Sequence, residues 1–202
     1  MTLKRSCSIL LHYISNKENL LNEQSDEQLV NNLRLGLEEA FAVIYERYKR
    51  RIFLFCFQLS ADRLLAEDAT QDTFIKMHQS IHTLHDLSVF RSWLYTIARN
   101  QVYKLLHKQK SNGRLTDELV WLGDHPDIAL EVSEEREIIA QCINALKPEY
   151  REVLTLREYE QLSYSEIAVI TGDSESSVKS RLFKARQALT VKLRPYYQRG
   201  NI

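Results

Sequence analysis

Lysine and arginine side chains in two acid-free stretches are the residues of this chain best suited to bind a ligand. Residues 88–116 and residues 176–202 contain no Asp or Glu, although the whole chain balances 27 Lys and Arg against 27 Asp and Glu. Such cations bind phosphate oxygens, and the local field rather than the net charge decides whether they do so. Residues 117–137, between the two stretches, are strongly acidic. This alternation predicts two nucleic-acid contacts on either side of an acidic segment.

Residues for catalysis or metal binding form no comparable pattern. The sequence has no phosphate-binding glycine loop, no nucleophile elbow and no metalloprotease motif, so we predict neither an enzyme nor a cofactor. His78, His82 and His85 follow at intervals of four and three residues, a spacing that suits zinc on one helix face. No Cys or Glu stands beside them to complete the site, and we therefore predict no metal.

Cysteine usage and the N-terminus bear on the compartment. Cys7, Cys56 and Cys142 are odd in number and far apart, as in a reduced protein without a disulfide framework. The apolar run in residues 9–14 is too short to cross a bilayer, and no small-residue cleavage site follows it. We therefore expect a cytoplasmic protein.

The second basic stretch belongs to a predicted helix-turn-helix. Ser163 and Glu166 have the spacing of a capping box, and Gly172 suits the left-handed turn that ends the short helix after it. Asp173 or Ser174 then caps a longer helix, which we predict to end at about Arg194, before Pro195. Apolar residues at helical spacing predict its buried face: Val178, Leu182, Ala185 and Leu189.

The opposite face of that longer helix is polar and basic. Small hydroxyl side chains near its start can approach base edges, and its cations can bind phosphates. The alternative is an αα-hairpin with a solvated basic face. The predicted DNA-binding residues of the helix-turn-helix are Ser176, Ser177, Lys179, Ser180, Arg181, Lys184 and Arg186.

Helical periodicity also covers most of the chain before this motif. Few Gly and Pro interrupt it, and the pattern predicts an all-α protein of two small helical domains. We predict residues 25–110 as the first domain and residues 134–195 as the second. Residues 111–133 form an acidic linker, and residues 1–24 an N-terminal extension for which disorder is one interpretation.

Particular strings identify a family resemblance. "LSYSEIA" and "SVKSRLFKARQAL", within residues 146–189, resemble sigma region 4. "AEDATQDTFIKMHQSIHTL" (66–84) and "FRSWLYTIARNQVYKLLHKQK" (90–110) resemble parts of sigma region 2. The two modules in this order, with no further domain between them, resemble the extracytoplasmic-function (ECF) group of the sigma-70 family. The resemblance implies a factor that binds core RNA polymerase and directs promoter-specific initiation, without catalysis of its own.

The resemblance implies one protein contact in the first domain. In the family, the polar side of the second long helix binds a basic coiled coil of the polymerase β′ subunit. The alternative is a solvated helix face. The corresponding residues here are Asp68, Gln71, Asp72 and Gln79.

It also implies a single-strand DNA contact. In the family, the loop after this helix captures a base of the opened minus-ten element, which requires hydrogen-bonding groups and nearby cations. Trp93 is expected either to pack in the core or to stack on a base. The predicted minus-ten residues are Leu84, His85, Asp86, Ser88, Arg91, Arg99, Asn100 and Lys104.

The remaining implied partners are the polymerase β subunit and an anti-sigma factor. The acidic linker would follow the positively charged RNA path of the polymerase. Gln161 stands where the family commonly has Gly, and Lys104 where an acid is frequent, which leaves the promoter sequence open. A free-standing helix-turn-helix regulator is the alternative function, but such a protein needs no region 2.

Overall fold

The computed structural model describes residues 21–111 and 134–198, and these ranges contain helices but no β-strand. The first bundle consists of α1 (Asp26–Arg34), α2 (Glu38–Ser60), α3 (Arg63–Ser80) and α4 (Phe90–Ser111). The second bundle consists of α5 (Glu134–Asn144), α6 (Pro148–Leu154), α7 (Tyr164–Thr171) and α8 (Glu175–Gln198). The predicted all-α class is confirmed.

The first bundle is built on three long helices, α2, α3 and α4. Apolar residues at three- and four-residue spacing turn one side of each helix inward, where burial of a large apolar side chain stabilises the fold by roughly 1.5–3 kcal/mol. Aromatic rings join the helices, with Phe55 of α2 at 5.2 Å from Tyr95 of α4, and Tyr48 at 5.9 Å from Phe90. All four rings are buried. They hold α4, and with it the first basic stretch, against α2.

Polar residues define where these helices begin. Ser25 forms a capping box with Gln28 at the start of α1, and the side chain of Asp62 accepts a hydrogen bond from the amide of Leu65 at the start of α3. Ala61, between α2 and α3, has a left-handed backbone at φ 55°. This two-residue link turns the chain back sharply and sets α3 alongside α2. Before α1, Leu21 is buried in the core.

The second bundle contains the predicted helix-turn-helix. Ser163 and Glu166 form the capping box, Gly172 has φ 73°, and the hydroxyl of Ser174 accepts a hydrogen bond from the amide of Ser177. These features confirm the predicted start of α7, its end and the cap of α8. The predicted inward face is confirmed as well, because Val178, Leu182 and Ala185 are buried and Leu189 packs against the core.

The predicted end of α8 is wrong. The helix continues through Pro195 to Gln198 instead of ending at Arg194. A proline in a helix removes one hydrogen bond, here to the carbonyl of Val191, and crowds that carbonyl. Val191 is exposed, so water can satisfy its carbonyl, and the helix tolerates a proline in its last turn.

The two bundles pack against each other. Helix α4 contacts α7, and α2 contacts α6 together with the π-helical turn Thr155–Tyr159 that follows it. The buried apolar cluster continues from the first bundle into the second. Residues 112–133, which include nearly all of the predicted linker, lie outside the described residues. None of the described helices is long and apolar enough to span a bilayer.

Candidate nucleic-acid and protein interfaces

The predicted protein-binding face of α3 is accessible. Asp68, Gln71 and Gln79 are exposed, and Asp72 is half-buried. Neither Asp68 nor Asp72 forms an ion pair or side-chain hydrogen bond within residues 21–111 and 134–198. The structure therefore leaves two carboxylates available on one side of α3, where a basic partner can bind them.

An apolar groove between α2 and α3 borders this face, and it was not among the sequence-based predictions. Tyr45 and Ile75 are 38% and 54% exposed. The ring of Tyr45 lies 4.8 Å from that of Phe74. The sequence signal for this groove was Ile75, an isoleucine on an otherwise polar face of α3. The groove is lined by Glu38, Phe41, Tyr45, Gln71, Phe74, Ile75, His78 and Gln79.

The three histidines considered for zinc have other surroundings. His78 lies 3.3 Å from a carboxylate oxygen of Glu38 and meets Phe41 edge to face. His82 and His85 are exposed, and the parts of the chain that are described contain no group of three or more His, Cys, Asp or Glu arranged to hold a metal.

The predicted minus-ten loop connects α3 to α4 through two short 3₁₀ turns, Ile81–Thr83 and Leu87–Val89. His85, Asp86 and Ser88 are exposed, whereas Leu84 is buried and its carbonyl accepts a hydrogen bond from Arg34. Ser88 donates hydrogen bonds from its hydroxyl and its amide to Asp86, and these bonds hold the pKa of Asp86 below its ordinary value. Leu84 thus anchors the loop, while the three polar residues face solvent.

The predicted minus-ten residues of α4, three cations and Asn100, fall into two groups. Asn100 and Lys104 are exposed, and their side chains make no ion pair or hydrogen bond among the described residues. Arg91 pairs with Glu160 at 3.4 Å, and Arg99 donates a hydrogen bond of 2.5 Å to Glu152. Both glutamates belong to the second bundle. The structure therefore does not bring all the predicted minus-ten cations onto one free surface.

Trp93 lies beside this segment. It is half-buried, packs against the core, and its ring lies 6.2 Å from that of Phe90. This placement favours the packing interpretation of Trp93, and the exposed remainder of the side chain is still available for stacking.

Helix α8 presents most of the predicted DNA-binding residues to solvent. The hydroxyl residues Ser176, Ser177 and Ser180 are exposed, as are Lys179, Lys184 and Arg186. Phe183, on the same side, is 63% exposed. The hydroxyls at the helix start and the cations thus lie on an exposed, mostly polar side of α8, which suits phosphate and base contacts.

Acids of the same bundle hold two arginines of this surface. Arg181 is half-buried and donates a hydrogen bond of 2.7 Å to Asp173, whose pKa it holds below the ordinary value. Arg186 donates a hydrogen bond of 2.7 Å to Glu158. These pairs fix the orientation of the two guanidinium groups, of which that of Arg186 is exposed and that of Arg181 is half-buried.

Three residues at the contact between the bundles were absent from the predicted sites. Arg51 of α2 donates a hydrogen bond of 2.8 Å from Nε to the carboxylate of Glu160, and Glu152 pairs with Arg99. Glu152 and Glu160 are 1% and 5% exposed. Burial raises the pKa of Glu152, and the charge of Arg99 opposes this increase. Burial also raises the pKa of Tyr95, and the negative charge of Glu160 raises it further. No local pattern reveals pairs that are so distant in sequence.

Comparison with known families covers both bundles. Residues 44–112 match the family model described as sigma-70 region 2, and residues 136–189 match the model described as sigma-70 region 4. RNA polymerase sigma-H factor of Pseudomonas aeruginosa is 31% identical over an alignment of 188 residues, and the match covers 87% of this chain and 97% of that protein. The chain belongs to the sigma-70 family. ECF RNA polymerase sigma factor SigM of Bacillus subtilis is 33% identical and covers 78% of this chain and 94% of its own length.

These relatives confirm the predicted ECF group, and with it the function of a sigma factor in promoter-directed transcription initiation. The region 2 match disfavours the free-standing regulator, because such a protein needs no region 2. This family is not known for catalysis.

Solved structures show the same fold. The sigma factor RpoE of Bartonella quintana, solved in complex with the anti-sigma factor NepR, has a TM-score of 0.64 at 26% identity, covering 76% of this chain and 96% of that one. CnrH, solved with the cytosolic domain of CnrY, has a TM-score of 0.62 at 21% identity. The match covers 85% of this chain and 99% of that one.

Proposed function

We propose that this sigma factor uses three separate surfaces during initiation. Helix α3 binds core RNA polymerase, residues 84–104 bind the opened minus-ten strand, and α8 binds the minus-thirty-five duplex. The observation that carries the proposal is the chemistry of these surfaces, which are anionic on α3, hydrogen-bonding in the loop and cationic on α8. Each surface suits a different ligand.

The α3 surface suits a basic helical partner, which we take to be the coiled coil of the polymerase β′ subunit. Asp68 and Asp72 supply unpaired carboxylates, and the adjoining groove with Tyr45 and Ile75 supplies apolar contact area. A central apolar contact beside charged residues is the usual composition of a specific protein interface.

The loop and α4 suit a single strand. His85, Asp86 and Ser88 present hydrogen-bonding groups to solvent, and Lys104 supplies a free cation about four turns into α4 beyond the loop. Helix α8 suits a duplex because its hydroxyl groups lie at the helix start and its lysines and arginines lie along the same exposed side. Weak contacts at two linked sites add up to firm promoter binding.

Further parts of the proposal concern partners and compartment. The second bundle contacts the polymerase β subunit, the acidic linker follows the RNA path, and an anti-sigma factor controls the free protein. The protein acts in the cytoplasm, where the polymerase is, and without catalysis of its own. The complex solved for RpoE with the anti-sigma factor NepR supports the regulatory partner.

Run-off transcription tests the whole proposal. Purified chain and core polymerase are incubated with genomic DNA fragments, and the transcripts are compared with those from core polymerase alone. We expect promoter-specific transcripts only when the chain is present. Equal transcript patterns with and without the chain contradict the proposal.

The polymerase surface has its own test in Asp72→Arg. Reversing this charge places a cation against the basic coiled coil, and we expect the affinity for core polymerase to fall by at least about thirtyfold, which corresponds to roughly 2 kcal/mol. Glu23→Arg is the control, because Glu23 is exposed and lies before α1. Titration of labelled core polymerase measures both affinities. Retention of core polymerase by a folded Asp72→Arg variant contradicts the assignment.

A further inference from the structure

A histidine and a glutamate face each other across the groove between α2 and α3. Nε2 of His78 on α3 lies 3.3 Å from Oε2 of Glu38, the first residue of α2. Their side chains are 45% and 71% exposed, so a binding partner can reach both. Gln71 and Gln79 line the same groove and belong to the predicted polymerase-binding face. The pair therefore lies where the proposed function places core polymerase.

The remaining lining of the groove carries no charge near neutral pH. The ring of Phe41 meets the ring of His78 edge to face, with the centroids 5.3 Å apart. Phe74 and Ile75 are apolar, and the phenol of Tyr45 is neutral in this pH range. Protonation of His78 is thus the event that changes the charge of the groove near neutral pH.

The other charged or titratable side chains around this part of α3 do not pair with His78. Helix α4, which also packs against α3, contains no Asp or Glu. Asp86 of the loop is bonded to Ser88. Within residues 21–111, none of the following forms an ion pair or hydrogen bond with the His78 ring: Arg34, Asp72, Lys76, His82, His85 and Asp86. Glu38 is therefore the carboxylate that a proton on His78 would meet.

The start of α2 keeps this carboxylate in place. Leu37, at the N-cap, makes no side-chain hydrogen bond to the helix, and Glu38 follows it in the first turn. The positive end of the helix dipole attracts an acid there. Glu38 thus presents a negative charge at the edge of the groove, whichever cation lies next to it.

Two cations compete for Glu38 when a basic helical partner binds. One is the protonated ring of His78, and the other is a lysine or arginine of the partner, whose aliphatic stem can cover Tyr45 and Ile75. An imidazolium beside the incoming cation also repels it. A neutral His78 neither repels the partner nor occupies the carboxylate.

We propose that core polymerase binding releases a proton from His78, because a basic side chain of the polymerase coiled coil takes over Glu38. The proton passes to solvent, and the neutral ring keeps its contact with Phe41. Polymerase binding therefore weakens as the pH falls. This inference rests on the proposed polymerase contact of α3 and adds its dependence on pH.

The size of the effect follows from competition between one proton and one partner. Histidine changes its charge between about pH 5 and about pH 8. Complete release of one histidine proton weakens binding about fourfold between about pH 7.5 and about pH 6. Exposed aspartates and glutamates stay ionised over this interval, because they titrate near about pH 4.

Titration of labelled core polymerase with the full chain at these two pH values and constant ionic strength tests the inference. We expect the Kd of wild type to rise about fourfold more than that of His78→Gln, which cannot take up the proton. His78→Lys keeps a cation beside Glu38 and should bind at the higher pH at least as weakly as wild type does at the lower pH. Circular dichroism checks that each variant is folded.

His82→Gln is the matched control. His82 is exposed, lies four residues beyond His78 and is not part of the groove lining. Its replacement should leave the pH dependence of the wild type unchanged. This comparison separates the His78 ring from a general effect of histidine charge at this end of α3.

Two results overturn the inference. One is a wild-type pH dependence no larger than that of His78→Gln, and the other is a His78→Lys variant that binds as tightly as wild type at the higher pH. Wild-type binding at the higher pH separates this failure from failure of the proposed function. Tight binding with either result rejects the proton release alone, whereas no binding at either pH rejects the polymerase contact itself.

Discussion

Arginines of α4 and of α8 both pair with carboxylates. They differ in which bundle supplies the carboxylate. Arg91 and Arg99 are held by Glu160 and Glu152, which lie 69 and 53 residues away and belong to the other bundle. Arg181 is held by Asp173, eight residues away within the same helix-turn-helix. Both arrangements place guanidinium groups, but only the first depends on how the bundles sit together.

This difference separates two uses of an ion pair. Within the second bundle, the acids orient α8 side chains and belong to the same bundle as those side chains. Across the contact, the acids occupy the arginines only while the bundles are together. The burial of the acids agrees with this division, because Glu152 and Glu160 have side chains 2% and 6% exposed, whereas Asp173 and Glu158 have side chains 27% and 48% exposed.

Among the substitutions that test this comparison, Glu160→Ala is expected to change the free energy of unfolding most. It leaves Arg51 and Arg91 facing each other without their shared carboxylate, and loss of one partner of a buried pair costs about 3 kcal/mol. We expect a fall of this size in the free energy of unfolding, measured by urea titration with circular dichroism. Glu158→Ala is the control, since its exposed pair with Arg186 contributes less than about 1 kcal/mol. Equal losses in the free energy of unfolding of the two variants would contradict the distinction between the buried pairs across the contact and the exposed pair within the second bundle.

Asp173→Ala is expected to have an intermediate effect. Its pair with Arg181 is partly screened by solvent, so the free energy of unfolding should fall by at most about 1 kcal/mol. The bundles should stay together, because this pair does not cross between them. Small-angle scattering of the variant measures that directly, and an expanded chain would show that the local pair also helps to hold the bundles together.

Gln161→Gly is expected to have the smallest effect, and a stabilising one. A left-handed backbone costs an L-residue about 1–2 kcal/mol, and glycine loses about 0.5–1 kcal/mol more in chain entropy on folding. The difference predicts a gain of about 0.5 kcal/mol in the free energy of unfolding, measured by urea titration. Gln161→Ala keeps the strain and serves as control. A loss of stability in Gln161→Gly would show that the hydrogen bond from Gln161 to the carbonyl of Glu158 outweighs the backbone strain.

Local rules predicted much of the fold because local interactions set it. The Ser163 capping box, the turn at Gly172 and the inward face of α8 each depend on residues within a few positions of one another. The helix end at Pro195 was predicted wrongly, because the cost of that proline depends on whether Val191 is exposed to water. Sequence alone has no access to that exposure.

Site residues divide in the same way. Exposure of the serines of α8 and of Asp68 and Gln79 on α3 follows from helix periodicity and was predictable. The groove beside α3 was not, because it depends on how closely α2 approaches α3 and leaves Tyr45 exposed. The sequence shows that Gln161 stands where the family commonly has Gly. Only the structure shows that its backbone is left-handed.

The amino-acid sequence by itself determined an all-α chain, a helix-turn-helix with a basic face and membership of a family that directs transcription initiation. The first two follow from short-range periodicity, capping and motif spacing, and the third from the resemblance of particular strings to sigma regions 2 and 4. Only the tertiary structure decided that Arg51, Arg91 and Arg99 meet Glu160 and Glu152. Ion pairs between groups more than 50 residues apart carry no periodic signal, because they form only when two separately folded surfaces come together.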